Sequence, residues 1–283
     1  MKLSYNEYGT LEDLENAGFN YDYYISGSDQ IWNVYCNDFN YAYFLPFVKS
    51  GKRIAYAPSM GAQLSIKTYK DRKKVIDLLN QYDAISVREA VGARYLGEIT
   101  KMPTASVLDP TLLLNPQEYD NLIDDKPLIK GEYVFIYSPN FTEKVNEMAE
   151  ALGDKYNKQV VISQGLISKN AMLKWGRKFN IYTATGPKEF LNLCKNASII
   201  CCDSFHAVAF SILFKKCFFV LDGMKDNRIS NLLQITHLQN RNFSSPNEYF
   251  NAPLQMDFTQ PLGALEIERR KSLEWLKEHL DVC

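Results

Sequence analysis

The sequence predicts an α/β protein with two Rossmann-like, doubly wound domains that face a cleft. Apolar runs of strand length alternate with helical periodicity along most of the 283-residue chain. These runs lack polar alternation, as in parallel strands that are buried on both faces. A polar stretch at 115–131, which contains two prolines, separates two such series. We therefore place the domains at 1–117 and 118–261, with a C-terminal helix at 262–283 that packs back on the first domain.

The first domain is predicted from four apolar strands and two helices. Helix 69–81 has apolar residues from Val75 to Leu79 at helical spacing, and helix 88–96 is followed by Gly97, a residue typical of helix ends. In chain order the elements are strand 21–25, strand 53–57, helix 69–81, strand 84–87, helix 88–96 and strand 106–108. Because strands and helices alternate, we expect the loops after the strands to lie at one edge of a parallel sheet.

The second domain repeats this alternation. A proline at 187 suits the first turn of a helix, and the tail at 265–280 has the apolar periodicity of an amphipathic helix. In chain order the elements are strand 133–137, helix 142–152, strand 159–163, helix 186–193, strand 199–202, a helix that starts near 204, and strand 217–221. The order predicts a second parallel sheet.

Composition narrows the function classes. The formal net charge is −1, which disfavours a large nucleic-acid-binding surface. The sequence has no apolar run long enough to span a bilayer and does not open with a signal peptide, so we expect a cytoplasmic protein. We also expect no metal centre, because no histidine and carboxylate residues have metal-ligand spacing.

Cysteine and aromatic residues give two further expectations. The six cysteines form no C-x-x-C pair, which favours buried, reduced thiols over disulfides or a zinc site. Tyrosine and phenylalanine crowd the segment 21–44. This crowding is typical of either a sugar-binding wall or an aromatic-rich core.

The segment 198–207 is the most informative part of the chain. It predicts a buried strand that ends at Asp203 and turns into a helix capped by Asp203 or Ser204. Open α/β sheets bind ligands at such strand ends, and a free helix N-terminus favours anions. His206, one of three histidines, lies at this point and suits proton transfer near neutral pH. The alternative is a histidine that only forms a hydrogen bond near a helix start.

Other loops after strands carry polar residues. Loop 26–33 is rich in small and hydrogen-bonding side chains, in which Asp29 could accept a proton and Trp32 could stack on a sugar. The alternative is an Asx-type turn with a core tryptophan. Arg88 could grip an oxyanion, or could form a surface pair with Glu89 or an interdomain salt bridge.

Three other positions are weaker candidates. Asp109, ahead of a proline, is expected to cap a turn. Gln164 and Gly165 follow a strand and could contact a ligand. Lys225 and Arg228 could supply positive charge for a phosphate, with a solvated basic loop as the equal alternative. There is no P-loop and no G-x-G-x-x-G fingerprint, which argues against an ATPase or a dinucleotide enzyme.

An ordered set of short segments resembles the polysaccharide pyruvyl transferase family over about 21–241. The segments are S-G-S-D-Q-I-W-N at 26–33, S-V-R-E at 86–89, V-L-D-P-T at 107–111, C-D-S-F-H-A at 202–207 and N-R-I-S at 227–230. The resemblance implies a GT-B-like architecture. It also implies transfer of a pyruvyl group from phosphoenolpyruvate to a sugar of a bacterial surface polysaccharide or its precursor. The product is a pyruvate ketal, phosphate is released, and no cofactor is needed.

The resemblance also implies roles for individual residues. His206 matches the family's histidine and is expected to act as general acid, while Asp203 or Asp29 orients an acceptor hydroxyl. The expected donor-binding residues are Arg88, Ser204, Arg228, Lys225, Gln164 and Gly165. The expected acceptor-binding residues are Gly27, Ser28, Gln30, Trp32 and Asn33.

Two positions depart from the family pattern. Ser204 stands where some members have an arginine, and the first domain is expected to lack an opening strand with its Asn-Tyr-Gly-Gly-type loop. Two alternatives therefore stay open: a GT-B-like nucleotide-sugar glycosyltransferase, and an inactive sugar-binding relative. The expected partners are phosphoenolpyruvate and a glycan or lipid-linked sugar, and the sequence is compatible with a homo-oligomer.

Overall fold

A computed structural model describes most of the chain as two compact units. The first unit comprises Met1–Leu113 with Glu268–Cys283, and the second comprises Leu114–Ile267. The predicted division lay at 117/118. The described residues are 6–123, 126–139, 142–163, 169–175, 178–183 and 186–280. Both units combine helices with a parallel sheet, which confirms the predicted α/β class.

The first unit contains a four-stranded parallel sheet. Its strands are β1 (Tyr23–Ser26), β2 (Lys52–Ala55), β3 (Ala84–Val87) and β4 (Thr104–Ser106). Its helices are α1 (Leu11–Asn16), α2 (Arg72–Leu79) and α3 (Ala90–Ile99). The strands lie in the order β1-β2-β3-β4, so each described crossover steps in the same direction and the strand order does not reverse among them.

Both predicted helices of this unit differ at their ends. The chain before α2 forms a separate 3₁₀ helix, Ser65–Thr68, so the α-helix begins only at Arg72. Helix α3 continues past Gly97 to Ile99. It ends there because the backbone of Thr100 is extended, while the N–H and the hydroxyl of Thr100 both donate to the Leu96 carbonyl, each at 2.8 Å.

Aromatic residues fill the core of the first unit. Tyr24, Trp32, Phe44 and Tyr82 all belong to one buried cluster. The rings of Trp32 and Phe44 stack with centroids 5.4 Å apart. For these residues the structure therefore favours the aromatic-core alternative over the sugar-binding wall.

The last part of the C-terminal helix belongs to the first unit. This helix, Thr259–His279, groups with that unit from Glu268 onward. Ser272 Oγ accepts a hydrogen bond from the Leu108 N–H at 2.9 Å, and Arg269 Nε donates to the Leu112 carbonyl at 2.9 Å. These contacts fix the helix beside the loop that follows β4.

The second unit contains a six-stranded parallel sheet. Its strands are β5 (Tyr133–Tyr137), β6 (Gln159–Ser163), β7 (Phe179–Tyr182), β8 (Ile199–Cys202), β9 (Cys217–Leu221) and β10 (Asn242–Phe243). They lie in the order β10-β9-β8-β5-β6-β7. The strand order thus reverses between β5 and β8, as expected of a doubly wound sheet. Ligands bind at such a switch point in open α/β folds.

Eight helices of the described chain lie wholly or partly in the second unit. They are α4 (Pro116–Asp120), α5 (Glu143–Tyr156), α6 (Lys169–Trp175), α7 (Pro187–Asn196), α8 (Phe205–Leu213), α9 (Asn227–Ile235), α10 (Pro246–Asn251) and α11 (Thr259–His279). No helix in the described ranges combines the length and apolar character needed to cross a membrane.

Several elements were not predicted from the sequence. Strand β7 has exposed and half-buried residues, and β10 is only two residues long. Both lie at the edges of the sheet, where one-sided pairing permits a weak apolar pattern. Helices α1, α6 and α10 are short and were also not predicted.

The described cysteines agree with the prediction of reduced thiols. All five are free, and four of them, Cys194, Cys201, Cys202 and Cys217, are buried. In this environment they act as small apolar residues of the second core.

Candidate active site

The switch point of the second unit brings three polar side chains together. Tyr137 and Cys202 pair at the carboxyl ends of β5 and β8, so the residues that follow them are neighbours. Ser138 Oγ donates to Asp203 Oδ2 at 3.0 Å, and the Thr142 hydroxyl donates to the same oxygen. These bonds orient the Asp203 carboxylate.

The second oxygen of this carboxylate differs from the first in its hydrogen bonding. Asp203 Oδ1 is shielded from solvent and accepts no hydrogen bond from the described residues. A buried carboxylate oxygen is strongly stabilised by a donor, so Asp203 retains the capacity to accept a ligand hydroxyl.

His206 follows Asp203 by three residues and lies in the first turn of helix α8. Ser204 is the N-cap residue, with an extended backbone, and the helix then runs through Leu213. Eight of its nine residues are buried, and His206 is the exception. The helix sequence is apolar elsewhere, so burial of its other side chains fixes the direction of the imidazole.

Cys202 lies close to His206 in sequence but has a different character. Burial raises the pKa of the Cys202 thiol to about 12. The thiol therefore stays protonated at neutral pH, which argues against a Cys–His nucleophilic pair here.

Ser204 is buried, and its side chain forms no capping hydrogen bond with α8. The sequence allowed Asp203 or Ser204 to act as side-chain cap. In the structure, Ser204 holds the N-cap position through its backbone only. The N–H groups of the first turn of α8 are thus not used by the Ser204 side chain.

The charges of the loop after β9 cancel one another. Arg228 donates to Asp226 through Nε at 3.0 Å and Nη2 at 2.5 Å, and the Asp226 carboxylate also caps α9. Lys225 Nζ lies 3.1 Å from Asp222 Oδ2 and is largely exposed. The expected positive patch therefore carries two acidic partners, and donor binding by these residues stays a prediction. Gln164 and Gly165 lie outside the described residues.

Arg88 in the first unit is held by two carboxylates. Its Nη1 donates to Asp109 Oδ2 at 2.7 Å, and its Nη2 donates to Asp29 Oδ1 at 3.0 Å. Only 2% of the Arg88 side chain is exposed, whereas 62% of the Asp29 side chain is exposed. The pairing lies within one unit and is buried. Glu89 is also buried, with its Oε1 4.0 Å from Arg88 Nε, so its contact with Arg88 is not a surface pair. An anion would have to displace Asp29 to reach this guanidinium.

Asp109 is the centre of this network. Ser28 Oγ donates to its Oδ2 at 2.9 Å, while its Oδ1 accepts from the Thr111 N–H at 2.9 Å. The expected capping role of Asp109 is confirmed. The ion pair with Arg88 adds a link between the ends of β3 and β4 that its sequence context did not indicate.

Gly27 permits the loop after β1 to approach the backbone at Tyr56 closely. Its φ is +129°, and a Cβ at this position would lie 2.0 Å from the Tyr56 carbonyl oxygen. Only glycine fits such a site. The first glycine of the predicted acceptor loop is therefore needed for the fold of this loop.

The prediction that Trp32 stacks on a sugar is wrong. Its side chain has no exposed surface, since it packs on Phe44 and its indole N–H donates to the Tyr43 carbonyl at 3.4 Å. Gln30 and Asn33 are half-buried, and Asn33 Nδ2 donates to Gln30 Oε1 at 3.0 Å. Trp32 thus anchors a loop whose polar residues lie nearer the surface.

Sequence reasoning missed Ser138 and Thr142. Ser138 directly follows the predicted strand 133–137, so its position at a strand end was the available signal. Thr142 marked only the start of a helix. Its bond to Asp203 depends on the reversal of strand order, which the sequence does not reveal.

Comparisons with known structures identify similar folds at low sequence identity. The wall teichoic acid polymerase TagF matches with a TM-score of 0.50 and 13% identity, over 92% of this chain and 72% of that chain. A UDP-N-acetylglucosamine 2-epimerase from Rickettsia bellii matches with a TM-score of 0.48 and 14% identity, over 81% and 74%. The likeness to the polymerase concerns the fold alone.

Sequence comparison gives the family. No curated protein shows significant similarity to this chain. The sequence profile of the polysaccharide pyruvyl transferases matches residues 1–223, a range that contains β1 to β9 and His206. The match covers most of the sequence and confirms the resemblance of its motifs. The chain belongs to the polysaccharide pyruvyl transferase family.

Proposed function

We propose that the protein transfers a pyruvyl group from phosphoenolpyruvate to a sugar of a bacterial surface polysaccharide or its precursor. The reaction forms a pyruvate ketal, releases phosphate and uses no cofactor. Family membership supports this class of reaction. The observation that carries the assignment of a site is the placement of His206, the one residue of α8 that is not buried, at the carboxyl end of β8.

The chemistry requires an acid and two hydroxyl groups. A proton added to the methylene carbon of phosphoenolpyruvate makes a methyl group and leaves a cationic centre at the next carbon. One sugar hydroxyl attacks this centre, the bond to the phosphate oxygen breaks, and the second hydroxyl closes the ketal. The two sugar hydroxyls release two protons. One restores the proton that the general acid gave to the methylene carbon, and the other leaves with the phosphate. No oxidation or reduction occurs.

His206 is the proton donor in this proposal, and Asp203 orients a hydroxyl. An imidazole supplies a proton near neutral pH, and general acid catalysis of this kind typically contributes about 10²- to 10⁴-fold. Asp203 suits hydroxyl binding because its Oδ2 is held by Ser138 and Thr142 while Oδ1 accepts no hydrogen bond from the described residues.

The donor phosphate suits the start of α8 for electrostatic reasons. The dipole of a helix favours an anion at its N-terminus. Lys225 and Arg228, after the neighbouring strand β9, add cationic groups, each with a carboxylate partner.

A nucleotide-sugar glycosyltransferase is the second candidate. The fold similarity to a wall teichoic acid polymerase favours it, although this similarity shows only the fold. The two candidates differ in the donor, so ligand binding separates them.

A thermal-shift titration with phosphoenolpyruvate, uridine diphosphate and guanosine diphosphate tests the proposal. A ligand that binds only the folded state raises Tm as its concentration passes its Kd. We expect phosphoenolpyruvate to raise the Tm of both the wild type and His206→Asn. In a parallel activity assay, we expect pyruvyl transfer to be lost only in His206→Asn. His237→Asn is a matched control, because His237 is an exposed histidine of the same unit. A shift with a nucleotide alone would support the glycosyltransferase.

A further inference from the structure

The first unit contains a small cavity beside Asp29. Its volume is about 210 Å³, and its lining includes Asp29, Gln30, Asp38, Phe39 and Tyr43. Drug-sized ligands occupy pockets of about 300 Å³ or more. The cavity is therefore suited to a single small ring rather than to a nucleotide.

The polar residues of the cavity have free hydrogen-bonding capacity. The Asp38 side chain is exposed and forms no hydrogen bond or ion pair within the described part of the chain. Asp29 engages Arg88 through Oδ1. Gln30 accepts from Asn33 through Oε1, which leaves its amide N–H groups without a partner among the described residues. Acceptor and donor groups are thus both available to a ligand that carries hydroxyls.

A buried side chain and two backbone turns hold the wall of the cavity in place. Trp32 is fully buried next to Gln30, and backbone turns link Asn33 to Gln30 at 2.9 Å and Phe39 to Cys36 at 3.1 Å. A preorganised wall of this kind lowers the entropy lost when a ligand binds.

The charge of the cavity selects against anions. Two carboxylates line it, and no lysine or arginine is found among the described residues that do so. Arg88 lies nearby, but it is buried and shared between Asp29 and Asp109. Phe39 and Tyr43 add aromatic surface, on which the apolar face of a sugar ring can pack.

We propose that this cavity binds one neutral sugar ring of the acceptor, with Asp38 and Gln30 bonded to its hydroxyls. The assignment rests on the proposed sugar acceptor and adds Asp38, Phe39 and Tyr43 to the residues that bind it. It also predicts a preference for neutral sugars over uronic acids, because a sugar carboxylate would be repelled by Asp29 and Asp38.

Direct binding of glycosides to the 283-residue chain tests the subsite without any turnover. The probes are the methyl glycosides of glucose, galactose and mannose, with methyl glucuronoside as the anionic counterpart, each titrated to about 10 mM and followed by ligand-observed NMR. We expect at least one neutral glycoside to bind and the glucuronoside to bind at least tenfold more weakly. Asp38→Asn is expected to raise the Kd of the neutral glycoside about tenfold. It is also expected to reduce the difference in affinity between the neutral glycoside and the glucuronoside.

Asp22→Asn is the matched control, because Asp22 is an exposed aspartate of the same unit that does not line the cavity. It is expected to leave all titrations unchanged. The proposal is overturned if no neutral glycoside binds, if the glucuronoside binds as tightly, or if the two variants behave alike.

The same titrations distinguish this proposal from the proposed reaction. If glycosides bind in an Asp38-dependent way but phosphoenolpyruvate is never consumed, the subsite stands and pyruvyl transfer fails. If pyruvyl transfer occurs with the same acceptor KM in wild type and Asp38→Asn, the reaction stands and the subsite is wrong.

Discussion

At the carboxyl edge of the first sheet, Arg88 is buried between Asp29 and Asp109, and its neighbours bond to one another. At the carboxyl edge of the second sheet, Asp203 accepts two hydroxyls on one oxygen and none on the other from the described residues. The half-buried His206 follows three residues later in the chain. The carboxyl edge of a parallel sheet thus has a different role in each unit. Ion pairs between charged side chains hold the loops of the first edge together, whereas Asp203 Oδ1 at the second edge is available to a ligand.

The comparison predicts the largest loss of stability for Arg88→Ala. This change leaves the buried Asp109 without its cation, and breaking a buried pair typically costs about 3–5 kcal/mol. Urea unfolding of the variant measures the free energy of unfolding. Arg94→Ala changes an exposed arginine on α3, the helix that follows Arg88; it is the control and is expected to change the free energy of unfolding by less than about 0.5 kcal/mol. Equal values for the two variants would contradict a structural role for Arg88.

Asp203→Asn is expected to affect activity more than stability. The amide oxygen still accepts from Ser138 or Thr142, so the free energy of unfolding should fall by only about 1 kcal/mol. A misplaced acceptor hydroxyl should lower kcat about 100-fold. Steady-state rates beside urea unfolding give both values. If Asp203→Asn lost as much stability as Arg88→Ala and kept a normal kcat, the role of Asp203 would be structural rather than ligand-binding.

Thr142→Val is expected to have a smaller effect on the same site. Valine keeps the shape but removes the hydroxyl that holds Asp203, which should cost about 1 kcal/mol in stability and a few-fold in kcat. Thr142→Ser retains the hydroxyl and should restore kcat. Failure of serine to restore kcat would show that the Thr142 bond does not position Asp203.

Lys225→Ala is expected to have the smallest effect. Lys225 is 76% exposed and paired with Asp222, so the free energy of unfolding should change by less than about 0.5 kcal/mol. Loss of one exposed charge near a phosphate should raise the Kd for phosphoenolpyruvate by no more than about fivefold. A larger rise, measured by thermal-shift titration, would place Lys225 in direct contact with the donor.

The sequence predicted most strands of both units, because buried parallel strands have continuous apolar runs such as Ile199–Cys202. The predicted strand 106–108 is an exception, since it shares only Ser106 with β4. It also indicated where polar residues follow those strands. It could not show which of them pair, since the bonds of Arg88 with Asp29 and Asp109 join three different loops. Trp32 is a similar case, because an aromatic residue in a polar loop has the same sequence pattern whether it binds a ligand or the core.

The most direct test of the account is the product formed from phosphoenolpyruvate and a neutral glycoside acceptor. Proton NMR of the mixture follows the ketal methyl group while phosphate release is measured in parallel. We predict that the wild type and His237→Asn produce both in equal amounts, and that His206→Asn slows both at least about 100-fold. Phosphate release without a ketal methyl signal, or a normal rate in His206→Asn, would contradict the account.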